Sequence, residues 1–157
     1  MKKFVILLCI FWMGFIFYMS SNNGQISHEE SIKVVNFIQD KTITKDSNVN
    51  KNTVNELQVK AKNLDYIIRK NAHAFMYMVL AFLVGNILFV FNKRGADAII
   101  YILFICLFYA LTDEFHQSFV PGRTSLVSDV LVDFGGALIG LIFFYIAYYK
   151  IGHKKSV

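Results

Sequence analysis

The stretch TDEFHQSFVPGR, residues 112–123, gathers two carboxylates, an imidazole, an amide and a guanidinium within a few helical turns' worth of chain. Asp113, Glu114 and His116 are side chains that take up and release protons, and together with Asp133 they form a candidate catalytic set for general acid–base work. The same four are acceptable ligands for a divalent ion such as Zn or Mn, although no cofactor is required by any motif. Arg123 carries the planar fork that grips carboxylate or phosphate through two parallel hydrogen bonds. A second set, Arg69, His73 and Tyr77, recurs every four residues with Lys70 beside it. On a helix this spacing gives one face with a cation, an imidazole about 6 Å further along and then a phenol. Asp129 and Asp133 are likewise four apart. With Gln117 these residues make up the candidate ligand-binding set. No Gly-x-Ser-x-Gly, His-Glu-x-x-His or phosphate-cradling glycine loop accompanies them, so binding and catalysis both stay open.

Lipid, rather than water, suits the chain around these groups. Hydrophobic residues make up 55% of its 157 positions and gather in four blocks, 4–19, 72–91, 98–111 and 130–149, which hold one acidic residue and no Lys or Arg. Uncharged runs approaching about 20 residues mark transmembrane helices. The expected fold is an all-α integral membrane protein, one domain over 1–157, with spans at about 4–21, 71–91, 97–119 and 129–149. Lys2 and Lys3 before an apolar run also describe a secretory signal, but YMSSNNG lacks a clean pair of small residues for cleavage, which favours a retained anchor. Lys2 and Lys3, the NKRG segment at 92–95, and Lys150, Lys154 and Lys155 all fall on one side of a four-span protein. The positive-inside rule makes that side the cytoplasm, with both chain ends there and the protein in the cytoplasmic membrane. Arg69 and Lys70 run against the rule, a hint that they have another task. The net charge of +5 is modest and spread over both sides, which does not point to nucleic acid. Cys9 and Cys106 lie inside expected spans and read as small hydrophobes, without disulfide or zinc spacing.

The connections then fix what positions the polar groups. Residues 22–70 form a polar outer segment in which Ser27 to Glu30 and Thr53 to Glu56 each have capping-box form, followed by apolar residues on one face. Two amphipathic helices are expected there, lying on the membrane surface or covering the bundle end. Short links at 92–95 and at Pro121-Gly122 make the last three spans an antiparallel meander. The apolar run 98–111 reaches only about 21 Å of a roughly 30 Å hydrocarbon core, so the third helix must continue through Asp113 to Gln117 and end before Pro121. Ser128 or Thr124 is the expected N-cap of the fourth helix, with Asp129 in its first turn facing the positive end of the helix dipole. Asp133 shares a face with Gly136 and Gly140, a pair that lets another helix come close within one chain or between two. Three helices thus aim polar groups at one layer, and Ser20, Ser21 and Asn22 can close the fourth side. An ion relay across the membrane is disfavoured because the opposite half offers no polar path.

FYMSSN at 17–22, RKNAHAFMYMVLAFL from Arg69 and TDEFHQSFVPGRTSLVSDVLVDFGGALIG from Thr112 together resemble the VanZ-like membrane proteins. The resemblance implies an integral membrane protein of the cell envelope; the founding member of that family contributes to teicoplanin resistance. It carries over Arg69, Lys70, His73, Tyr77, Asp113, Glu114, His116, Gln117, Pro121, Gly122, Arg123, Asp129, Asp133 and Gly136. The function expected is an outward-facing charged pocket for an anionic lipid, a lipid-linked cell-wall precursor or a glycopeptide. The alternative is an intramembrane enzyme, acid–base or metal-assisted, acting on a lipid-linked substrate.

Overall fold

The computed structural model describes the backbone of residues 2–21, 51–121 and 125–154, and the side chains of residues 2–21, 66–121 and 125–149. Four helices lie among the described residues: α1 Lys2–Ser21, α2 Lys51–Val90, α3 Ala96–Gln117 and α4 Val127–Lys154. Each contains a stretch long and apolar enough to cross a membrane: Lys2–Ser21, Tyr66–Val90, Ala96–Gln117 and Val127–Tyr149. The first capping box, at Ser27, lies outside the described residues. The second is not the start of a separate surface helix, because α2 runs unbroken from Lys51 through the span. No glycine or proline interrupts the chain between residue 51 and Gly85, so nothing ends the helix at the membrane boundary.

The link between α2 and α3 follows from two backbone positions. Asn92 has φ 60, and the amides of Asn92 and Lys93 bond back to the carbonyls of Phe89 and Leu88 at 3.0 and 2.9 Å. This is a Schellman close, with asparagine in the left-handed place that glycine more often fills. Gly95, at φ 72, then precedes α3. At the other end α3 tightens after Gln117, where the amides of Phe119 and Val120 bond three residues back to His116 and Gln117. The helix therefore stops one turn before Pro121.

α2 packs against all three other helices, and its most extensive partner is α4. The short links make consecutive helices neighbours as expected, while the most extensive seam joins two parallel helices that are not consecutive. Glycine is the reason. A Cβ on Gly136 would overlap the Ala74 carbonyl, and one on Gly140 would overlap that of Met78. The seam is thus backbone against backbone. α1 docks on α2 and α3 through two hydrogen bonds from aromatic side chains to main-chain carbonyls, Trp12 Nε1 to Met76 O at 2.9 Å and Tyr109 OH to Met13 O at 2.6 Å. A half-buried indole or phenol within a membrane span has few other acceptors. The apolar core between the helices includes Ile16, Leu80, Ala81, Val84, Ile102, Cys106, Ala110, Ala137 and Leu141.

Candidate functional site

The buried face of α3 changes character along its length. Ala98, Ile102, Cys106 and Ala110 recur every four residues, and the same face continues as Asp113, Glu114 and Gln117. Exposed Phe104, Phe108, Phe115 and Phe119 occupy the other side. The apolar helix of the middle of the span therefore becomes, in its last two turns, an acidic wall turned inward.

Glycine packing on α4 sets what that wall meets. With Gly136 on Ala74, the parallel helices pair residue by residue toward this end: His73 Nδ1 lies 3.8 Å from Asp133 Oδ1, and Lys70 Nζ lies 2.8 Å from Asp129 Oδ1. Lys70 also reaches the Ser128 hydroxyl at 3.4 Å, and Ser128 bonds Asp129 at 3.1 Å. Arg69 is half-buried beside Lys70 at the opening. One turn deeper the exposure falls to 2% for Asp113 and Asp133 and 0% for Tyr77 and Ser20. Gln117 donates to Asp113 Oδ2 at 3.1 Å. The second oxygen, Oδ1, of Asp113 and of Asp133 has no hydrogen-bond partner among the described residues, nor does the Tyr77 or Ser20 hydroxyl. Ser20 faces Asp113, and Tyr77 is near enough to both carboxylates to feel their charge.

The candidates thus divide. His73, Tyr77, Asp113, Gln117 and Asp133 come together, and one donor atom each from His73, Asp113 and Asp133 fall within 4.8 Å of one another. His116 points elsewhere: its Nε2 lies 3.1 Å from the Ser21 hydroxyl and its ring packs on Phe17 at 4.2 Å between centroids. Glu114 is buried, but its carboxylate accepts the Leu126 amide at 2.5 Å, just before α4 begins. The Ser125 hydroxyl bonds the Glu114 carbonyl at 3.4 Å. α3 thereby caps α4 from outside, where Ser128 or Thr124 was expected; Ser128 lies inside the helix and Thr124 outside the described residues. Arg123, Gly122 and Asn22 also lie outside them. Ser20 closes the α1 side, and the Trp12 and Tyr109 anchors leave little mark in residue spacing. The one signal for Trp12 was a lone tryptophan in the middle of a span.

Neither a curated protein nor a solved structure matches the chain. The family model VanZ/LLP1 matches residues 4–148, nearly the whole of the four spans and all of this polar end, and the chain is a multi-pass membrane protein belonging to that family.

Proposed function

We propose that the polar end faces outward from the cytoplasmic membrane, with both chain ends in the cytoplasm, and binds the anionic headgroup of an envelope lipid or a lipid-linked cell-wall precursor. The observation that carries this reading is the position of Lys70. Its ammonium keeps 20% of its side chain exposed at the opening, next to Arg69 and directly before the buried groups. Asp129 and Ser128 hold it there rather than bury it. A partly hydrated cation at the headgroup level, against the positive-inside rule, suits an anion arriving from the lipid side. An apolar groove of about 150 Å³ lies on the same α2–α4 seam, lined by Met78, Val79, Phe82, Gly140 and Phe143, and suits an acyl chain. Arg123 adds a third cation to the proposal by its place in the sequence. In this reading a contribution to glycopeptide resistance, teicoplanin included, arises from holding the precursor or the drug at this end.

Mass spectrometry of lipids retained by protein in native-membrane discs tests the reading. One class of anionic lipid is expected above its bulk share, falling to bulk in an Arg69→Ala/Lys70→Ala variant and in Arg123→Ala. A wild-type profile equal to the bulk membrane sinks it. A second reading, acid–base hydrolysis or transfer on a lipid-linked substrate, has one observation in its favour: Asp113 and Asp133 stand together with His73. Crowded carboxylates are how sites split one acid from one base. Turnover of a lipid-linked precursor by purified protein, lost in Asp133→Asn, would establish it.

A further inference from the structure

We infer that the buried end of the bundle is a divalent-cation site, ligated by a ring nitrogen of His73 and one carboxylate oxygen each from Asp113 and Asp133, with the Tyr77 and Ser20 hydroxyls beside it. The three ligands come from three helices and are brought within 4.8 Å by the fold alone. What distinguishes the place from an ordinary acidic cluster is the condition of its oxygens. Asp113 Oδ1, Asp133 Oδ1, Tyr77 OH and Ser20 Oγ are all buried and all without a hydrogen-bond partner among the described residues. Unsatisfied buried polar atoms are rare singly in native proteins, and here four lie on residues of one polar end of the bundle. As placed, the two hydroxyls do not meet the geometry of a hydrogen bond to either free carboxylate oxygen, although Ser20 stands close to Asp113.

Charge leads to the same conclusion. A carboxylate held ionised inside a membrane span is costly unless it is paired. A protonated His73 would offset only one of the two, and it stands 3.8 Å from Asp133, outside hydrogen-bond range. A dication with neutral imidazole balances both. The fit requires modest movement: donors around a tetrahedral ion with bonds of about 2.1 Å lie about 3.5 Å apart. Side-chain rotations on the order of 1 Å close the 4.8 Å group to that size. One imidazole with two carboxylates, hydroxyl neighbours and no thiol suits Zn²⁺ or Mn²⁺; Cys9 and Cys106 belong to the apolar core instead. Three side-chain ligands also leave a position for an outside oxygen, as catalytic zinc sites do. The cation site stands whether or not a headgroup binds at the opening. If one does, the ion explains how an anion can approach an acidic floor.

Purified protein is stripped with chelator, then titrated separately with Zn²⁺ and Mn²⁺ by calorimetry, with bound metal counted by mass spectrometry. One ion per chain is expected for at least one of the two. Asp113→Asn, Asp133→Asn and His73→Gln are each expected to weaken it by at least about 100-fold, beyond what loss of an outer hydrogen bond costs a metal site. His116→Ala should keep the stoichiometry. Cobalt provides a separate readout: its visible absorption in the wild-type site should change or vanish in His73→Gln. Because the Asp→Asn changes keep shape, monodisperse variants are expected; if one fails to fold, the cobalt spectrum of the other decides. No saturable binding of either ion up to millimolar concentration would overturn the inference. Binding untouched by both Asp variants, or lost equally in His116→Ala, would do the same.

Discussion

The two ends of the bundle treat charge in opposite ways. At the end carrying the α2–α3 link, Arg94 stays exposed and lies over the faces of Phe89 and Tyr148 at 5.7 and 5.6 Å, and Lys2 lies over Phe91 at 5.3 Å. The Tyr145 hydroxyl bonds the Gly95 carbonyl at 3.3 Å. Cations there keep their water and gain aromatic contact, the ordinary way to anchor a helix end at an interface. At the other end two carboxylates are withdrawn from solvent, each with an oxygen unpaired. The first arrangement is one of stability. The second sacrifices stability, which is the usual mark of a site held ready for something else.

The largest effect should come from the seam that creates the second arrangement. Gly136→Ala sets a methyl on the Ala74 carbonyl, and backbone cannot rotate aside as a side chain can. A loss at or above about 3 kcal/mol is expected, seen as poor recovery of folded protein and a large fall in melting temperature. Gly85→Ala meets only the Phe144 ring, at 3.0 Å, and should cost less because that ring can shift. Gly135→Ala meets nothing within 4 Å and should stay within about 0.5 kcal/mol. Equal effects across the three would mean that the glycine seam does not hold the ligands in register.

Next in size, and opposite in sign, is Asp113→Asn in chelator-treated protein. Asparagine can keep the acceptor for Gln117 Nε2 while removing a buried charge. A gain of about 1 to 3 kcal/mol is expected on thermal unfolding, since the change removes the desolvation cost of a buried carboxylate charge. A decrease would place Asp113 in a structural ion pair and erase the contrast between the ends.

How much of this was legible depends on how local each cause is. Helix period and bilayer length reached the four spans, the continuation of α3 through Gln117 and the inward face of Asp133. They placed His116, not His73, with the catalytic and metal-ligating candidates, because His116 shares a short stretch of chain with Asp113 and Glu114. The opposite outcome follows from α2 meeting α4 along Gly136 and Gly140 while α1 takes the other side of α3, and such pairings are tertiary. The Glu114 cap was hidden for the same reason: the carboxylate lies twelve residues from the amide it serves. A local capping rule looks three residues ahead and finds Ser128 or Thr124 instead.

Smaller again are the anchors of α1. Trp12→Phe and Tyr109→Phe each remove one hydrogen bond to a main-chain carbonyl and should cost about 0.5 to 1.5 kcal/mol. The sensitive readout is thiol labelling of buried Cys9 in a Cys106→Ala background, which should quicken in both variants as α1 loosens. Unchanged labelling would mean that apolar packing alone holds α1, and that Ser20 reaches the site without these anchors.

The smallest stability effect is expected where the two ends can be compared like for like. Lys70→Met removes a partly exposed pair with Asp129, and Arg94→Ala removes an exposed guanidinium from two aromatic faces. Exposed ion pairs contribute about 0 to 1 kcal/mol and exposed cation–π contacts about 0.5 to 1 kcal/mol, so the melting temperatures of the two variants should lie close together. Their binding should not. If the cation at the opening serves a ligand while Arg94 only anchors, Lys70→Met alone lowers the retained anionic lipid, and raising the salt concentration reproduces that loss in the wild type. Equal retention in both variants would return Lys70 to the class of Arg94, a surface cation steadied by its neighbours, and would leave the buried donors of His73, Asp113 and Asp133 as what distinguishes this end of the bundle.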